Sequence, residues 1–146
     1  MKKDILTVIS AIILGFLVTK TITKDYIKPI STNSQLVYFI QYGVFSSYES
    51  MKNNTETIDS YIYSITEDKY YVYLGFTQNK KCLEKLKGYF KDLKYNIYSK
   101  EIYLNNQKLL DIIPTYDALL LNVTSNESIK YILKQQIEKY KEVEKN

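Results

Sequence analysis

The chain has 146 residues, a net charge of +4 and no Arg, His or Trp, so all twenty of its basic residues are Lys. This length suits one domain plus an anchor. The absence of Arg, the usual bidentate reader of phosphates and bases, disfavours nucleic acid as a partner. The single cysteine, Cys82, excludes an internal disulfide, and without His the sequence offers neither a zinc site nor a Cys-His pair. We therefore expect no metal and no cofactor.

An apolar run occupies residues 5–22, just behind two lysines near the N-terminus. As a helix it would be about 27 Å long, close to the thickness of a bilayer core. No small-residue cleavage site follows it, as one would follow a secretory signal. The sequence predicts a single-pass anchor in the cell membrane over residues 1–23, with the N-terminus cytoplasmic and the C-terminal domain extracytoplasmic. Residues 24–35, which contain Pro29, are predicted to be a linker.

A short sequence motif then occurs twice, over residues 38–47 (YFIQYGVFSS) and residues 70–79 (YYVYLGFTQN). In each copy an aromatic and β-branched run ends at a glycine, Gly43 or Gly75, and polar cap residues with a helical pattern follow. This pattern predicts a repeated unit of strand, turn and helix.

Four strands and four helices are predicted after the linker. The strands cover residues 37–44, 61–66, 70–76 and 95–104, and a tight polar turn at residues 67–69 joins the second and third strands in a hairpin. A weak first helix begins after Ser46 or Ser47 and buries Met51 and Ile58. A second helix begins after Asn79 and has an apolar stripe of Leu83, Leu86, Phe90 and Leu93.

Two further helices are predicted in the tail. The first starts at Thr115, directly after Pro114. The second follows Ser125 or Asn126, and one side of it carries Ile129, Ile132, Leu133, Ile137 and Tyr140.

This element order predicts an α+β fold made of a βαβ-βαβ pseudo-repeat. Two such units form a four-stranded antiparallel sheet with two helices on one face. The repeat occupies residues 36–104. Residues 105–146 form a C-terminal helical extension, which we expect to pack on the domain as part of its core rather than to serve as a docking element.

The sheet face opposite the two helices is predicted to be open and aromatic. Strand alternation places Phe39, Gln41, Tyr71 and Tyr73 on it, with Tyr61 and Tyr63 beside them. Clustered aromatic rings make a surface that stacks on sugar rings or bases. A tyrosine by itself needs no such role, because Tyr is a good strand former.

The two glycine-ended strands resemble those of the SPOR domain, a bacterial peptidoglycan-binding module with the same repeat. The matching residues are Tyr38, Ile40, Gln41, Gly43, Phe45, Ser46 and Ser47 in the first copy, and Tyr70, Val72, Leu74 and Gly75 in the second. The resemblance implies binding to glycan strands from which stem peptides have been removed, at division or sporulation septa. It also implies that Gln41 contacts the glycan, with the neighbouring aromatic residues of the sheet stacked on the sugar rings.

Three functions are compared. The first is a non-catalytic, membrane-anchored protein that binds peptidoglycan glycan strands and works with septal or sporulation proteins. The alternative is a membrane-anchored scaffold that uses the same fold for protein-protein contacts in a division or sporulation complex. An enzymatic function is disfavoured, because the sequence shows no spacing that would place a catalytic acid opposite a base and no nucleophile paired with a base.

Overall fold

The structure is a computed structural model that describes residues 33–145. The predicted anchor and residues 24–32 of the predicted linker lie outside the described residues. Between residues 33 and 145 no helix is both long enough and apolar enough to cross a bilayer. This part of the chain forms four strands and four helices.

The first repeat begins with strand β1 (Gln35–Phe45), which leads into the short helix α1 (Tyr48–Asn54). Ser47 caps α1, since its hydroxyl oxygen accepts a hydrogen bond of 3.1 Å from the backbone N–H of Ser50. Helix α1 buries Met51 and ends at two asparagines, which are poor helix formers. The predicted weak helix is therefore confirmed, with a length of two turns, but Ile58, which was predicted to lie in its buried stripe, follows the end of the helix and is half-buried.

Strands β2 (Ile62–Thr66) and β3 (Lys69–Thr77) form the predicted hairpin. Its turn has two residues, Glu67 and Asp68, and both have a positive φ, 51° and 58°. This is the backbone of a type I′ turn, whose twist matches that of the strands.

Helix α2 (Lys80–Asp92) has a clear signal at each end. The Asn79 side chain caps its start by accepting hydrogen bonds from the N–H groups of Lys81 (2.8 Å) and Cys82 (3.3 Å), as predicted. At the other end Lys94 has a φ of 60°, and the N–H of Tyr95 bonds to the carbonyl of Phe90 at 2.9 Å. These are features of a Schellman motif. Because residues up to Tyr95 close the helix, strand β4 (Tyr98–Leu104) begins three residues later than predicted.

The four strands form one antiparallel sheet in the order β2-β3-β1-β4. With the element order β-α-β-β-α-β this is the split βαβ arrangement. Helices α1 and α2 pack on one face, called here the helix face, where Met51 and Leu86 meet Ile40 and Val72. The α+β class and the four-stranded antiparallel sheet are thus confirmed.

The chain continues in two long helices, α3 (Gln107–Asn122) and α4 (Asn126–Lys145), called here the C-terminal hairpin. The prediction that α3 starts at Thr115 is wrong, because the helix runs through Pro114 and is capped by Asn106. An interior proline costs about 3 kcal/mol. The turns before Pro114 bury three large side chains, each worth about 1.5–3 kcal/mol, which offsets that cost. These side chains are Leu109, Leu110 and Ile113. The predicted apolar stripe of α4 is confirmed, since all five of its residues are buried.

Helix α4 crosses the edge of β3 at Gly75. A Cβ atom on Gly75 would lie 2.7 Å from Cδ2 of Leu133, so any other residue at this position would force the Leu133 side chain to move. One residue further along, the Gln136 amide donates to the carbonyl of Phe76 (2.7 Å) and accepts from its N–H (3.1 Å). Strand β2 begins opposite Tyr73. Phe76 pairs with Phe39 of β1 but has no partner on the β2 side, and the Gln136 side chain takes the place of that partner.

Helix α3 is fixed at the end of β3 by Asp117. Its carboxylate accepts hydrogen bonds from the hydroxyl of Thr77 and, at 3.1 Å, from the N–H of Gln78. Burial nonetheless holds the pKa of Asp117 above its ordinary value. The ammonium of Lys85 donates to the carbonyls of Leu120 and Val123, each at 2.7 Å, and so neutralises the C-terminal end of the α3 dipole. The C-terminal hairpin is therefore part of the core, as expected.

Candidate functional site

The C-terminal hairpin covers half of the sheet face that was predicted to be open. Phe39 (4% exposed) and Tyr73 (6% exposed) lie under it in a cluster with Ile113 and Ile137. The ring of Phe39 is 5.4 Å from that of Tyr73, centroid to centroid, and stacks on Phe76 at 5.3 Å. Burial raises the pKa of the Tyr73 hydroxyl, an effect that its hydrogen bond with Ser64 partly offsets. Phe39 and Tyr73 thus fill the core, and neither is exposed to a ligand in this structure.

Tyr61 and Tyr63 lie on the helix face, contrary to the expectation that they stand beside Phe39 and Tyr73. Ile62 pairs with Tyr73 and shares its cluster, so the residues on either side of Ile62 project to the other side of the sheet. Tyr63 pairs with Val72 there. These two tyrosines and the remaining predicted glycan contacts do not form one surface.

The tyrosines of the helix face instead form a ring cluster at the corner where α1 begins. Tyr48, Tyr63 and Tyr70 contact one another with centroid separations of 6.0–6.4 Å. Burial is the main cause that raises the pKa of Tyr63. Aromatic contacts of this kind stabilise the corner.

The uncovered half of the opposite face carries the other two predicted residues, Gln41 and Tyr71, both partly exposed. Gln41 pairs across the sheet with Tyr98 of β4, which is 67% exposed. Two residues along β4, the ammonium of Lys100 lies 4.7 Å from the ring centroid of Tyr71, in a cation-π contact. We call Gln41, Tyr71, Tyr98 and Lys100 the open-end patch.

Strand irregularities shape this patch around Gln41. The pairing of β1 with β3 shifts register between Phe39 and Gln41 and again between Gln41 and Gly43. Bulges of this kind increase the local twist and re-aim side chains. The second shift lets Val44, paired with Tyr71, return to the same face as Gln41.

Tyr98 and Lys100 belong to the patch but were not among the predicted site residues. The alternation of β4 indicated that these two residues share a face with Ile102. Ile102 pairs with the buried Val37, which belongs to the face opposite the helices. The sequence did not reveal which strand lies beside β1, and this choice brings Tyr98 next to Gln41.

The patch offers binding groups rather than reactive ones. An amide supplies hydrogen-bond donors and acceptors, two phenol rings supply flat apolar faces, and one ammonium supplies positive charge. Among residues 33–145 there is no cluster of acidic residues, Cys or His that could hold a metal ion.

Comparison with known proteins adds no assignment. No protein-family model, curated protein or solved structure matches the chain. The resemblance to the SPOR domain therefore stays a prediction carried by the residues of the two glycine-ended strands.

Proposed function

We propose that this chain is a membrane-anchored, non-catalytic protein of the bacterial cell envelope that binds peptidoglycan glycan strands at division or sporulation septa. Its preferred ligand is a strand without stem peptides. The predicted helix over residues 5–22 is the anchor, and the domain lies on the outer side of the membrane. The observation that supports this proposal is the open-end patch, where an amide, two phenol rings and an ammonium share one sheet face.

Each group of the patch suits a glycan. The C–H faces of sugar rings stack on aromatic rings such as those of Tyr71 and Tyr98. The amide of Gln41 can donate to and accept from sugar hydroxyls and N-acetyl groups. The patch is also well placed, because β1 carries the chain roughly 20 Å from its first residue, Gln35, to Gln41.

Binding to purified peptidoglycan tests the proposal. The full-length protein in detergent is incubated with intact sacculi and with sacculi treated with an amidase, and the retained fraction is measured. Retention should rise after stem-peptide removal. It should fall about tenfold, or ~1.4 kcal/mol, in Gln41→Ala and in Tyr98→Ala.

Tyr103→Ala is the matched control. Tyr103 lies on the same strand as Tyr98 and is equally exposed, 65% against 67%, but its partner Leu36 belongs to the helix face. This variant should bind like the wild type. Equal retention on both forms of sacculi, or an equal loss in Tyr98→Ala and Tyr103→Ala, would contradict the proposal.

The second candidate is the membrane-anchored scaffold. It is favoured by the burial of Phe39 and Tyr73, which reduces the aromatic surface that a glycan could contact. If the chain is a scaffold, we expect negligible retention on both forms of sacculi. We also expect a fluorescent fusion that carries Tyr98→Ala to lose its septal localisation.

A further inference from the structure

Lys100 is the one charged residue of the open-end patch, and its ammonium lies over the middle of the sheet. The nitrogen is 4.7 Å from the ring centroid of Tyr71. Lys100 belongs to β4 and Tyr71 to β3, and β1 runs between these two strands. Because neighbouring strands are about 4.8 Å apart, the lysine side chain and the tyrosine ring can meet only above β1. The positive charge is therefore held inside the patch rather than at the outer edge of β4.

The surroundings of Lys100 favour binding of an anion. Lys100 pairs with the buried Phe39, whereas Gln41, two residues along β1, pairs with the exposed Tyr98. Lys100 thus lies at the boundary between the covered and the open half of this face, and it is partly exposed. Attraction between charges is stronger where less water surrounds them. The contact with Tyr71 also places the ammonium in advance, so less side-chain entropy is lost on binding.

The proposed ligand gains a negative charge when its stem peptides are removed. In intact peptidoglycan the lactyl group of N-acetylmuramic acid ends in a neutral amide bond to the stem peptide. An amidase hydrolyses this bond with one water molecule. The lactyl carbon keeps the oxygen of that water as part of a carboxylate, and the peptide leaves with its amine. A strand without stem peptides therefore carries a carboxylate on every muramic acid residue, and an ammonium is the complement of such a group.

We propose that Lys100 pairs with the lactyl carboxylate and so determines the preference for strands without stem peptides. This inference rests on the proposed function. It gives the groups of the patch separate tasks. Tyr71 and Tyr98 stack on sugar rings and Gln41 bonds to their polar groups, which intact and peptide-free strands share. Lys100 contacts the group by which the two strands differ.

Chemical neutralisation of the carboxylate tests the inference without restoring the stem peptide. Peptide-free strands are labelled at their reducing ends, and half of the material is coupled to methylamine with a carbodiimide, which turns each lactyl carboxylate into a neutral amide. Fluorescence anisotropy measures the Kd of the full-length protein in detergent for both ligands. The wild type should bind the charged strand about fivefold more tightly, the value of a strong exposed ion pair. This difference should shrink as the salt concentration rises.

Variants of Lys100 assign the difference to this residue. Lys100→Gln should bind both strands with the Kd that the wild type has for the neutral strand. Lys100→Arg keeps the charge and should keep the fivefold difference. Lys100→Met, which keeps an apolar stem beside Tyr71, is a second neutral variant in case Lys100→Gln does not fold, as checked by circular dichroism.

Lys91→Gln is the matched control. It removes the same charge from an exposed position on α2, which packs on the helix face. This variant should keep the fivefold difference, because the proposed ion pair is local. Loss of the difference in Lys91→Gln as well would assign it to the overall charge of the protein and overturn the inference.

The remaining outcomes separate the inference from the proposed function. No measurable binding of either strand by the wild type would overturn both. Equal Kd values of the wild type for the two strands would overturn the inference and leave glycan binding standing. A fivefold difference that persists in the neutral variants of Lys100 would do the same.

Discussion

Gln136 holds the edge of β3 with one side chain. It is fully buried and satisfies both the N–H and the carbonyl of Phe76. Replacing it by Leu keeps a similar volume and leaves two buried backbone groups without partners. We expect Gln136→Leu to lower the free energy of unfolding by about 2–4 kcal/mol, as measured by urea denaturation.

The neighbouring residue provides the control. The side chain of Gln135 bonds to Glu138 at the exposed surface, so Gln135→Leu should change the free energy of unfolding by less than about 0.5 kcal/mol. If the two variants were equally stable, the paired hydrogen bonds of Gln136 would not matter for the fold.

At the scale of elements, the C-terminal end of α2 is strained at one residue. Lys94 adopts the left-handed conformation that glycine accepts without penalty, within a complete Schellman motif. The ring of Tyr95 stacks on that of Phe90, with 6.1 Å between centroids, and this contact keeps the helix end in place. Lys94→Gly should therefore raise the free energy of unfolding by about 1 kcal/mol.

Lys91 is the matched control, because it lies in the last turn of the same helix and is equally exposed. Lys91→Gly should lower the free energy of unfolding by about 1 kcal/mol, since glycine within a helix is unfavourable. A loss of stability in both variants would contradict the strain assigned to Lys94. Thermal unfolding followed by circular dichroism measures both changes.

The elements show what the sequence could and could not predict. The stripe of α4 was predictable, because its period identifies the buried side without reference to the rest of the chain. The face of Tyr63 was in principle predictable as well. A two-residue turn at Glu67 and Asp68 sets Tyr63 opposite Val72. The predicted turn over residues 67–69 did not fix the register of β2 against β3, and a shift of one residue in that register moves every side chain of β2 to the other face of the sheet.

The covering of Phe39 and Tyr73 was harder to predict. Both C-terminal helices have apolar sides that need a partner, and the sheet face was the remaining apolar surface. Local sequence patterns do not reveal that α4 passes round the edge of β3, because the contact of Gln136 with Phe76 joins residues that are 60 positions apart. Tyr98 could be placed beside Gln41 only once β4 was known to pair with β1.

For the whole molecule, Cys82 reports whether the C-terminal hairpin opens separately. Its thiol is fully buried and donates to the carbonyl of Asp117 on α3, at 3.3 Å. Because α3 and α4 contribute to both sides of the core, we expect the hairpin to open only when the whole domain unfolds. The labelling rate of Cys82 by a thiol reagent should then give the same opening free energy as urea denaturation.

Leu119→Cys serves as the control for reagent access, since that position is exposed and should react at once. Labelling of Cys82 at an opening free energy well below that of global unfolding would show that the hairpin detaches as a unit. Phe39 and Tyr73 would then become accessible without unfolding of the sheet.

The place of α4 after all four strands in sequence has a consequence for biosynthesis. Ile137, Tyr140 and Gln136 complete the core and close the strand edge, so folding cannot finish until these residues have been made. A chain that emerges N-terminus first keeps the apolar surface of its sheet uncovered until these residues of α4 have been made. If the domain crosses a membrane behind the proposed anchor, this delay keeps the domain unfolded, and therefore able to pass, until α4 has been made.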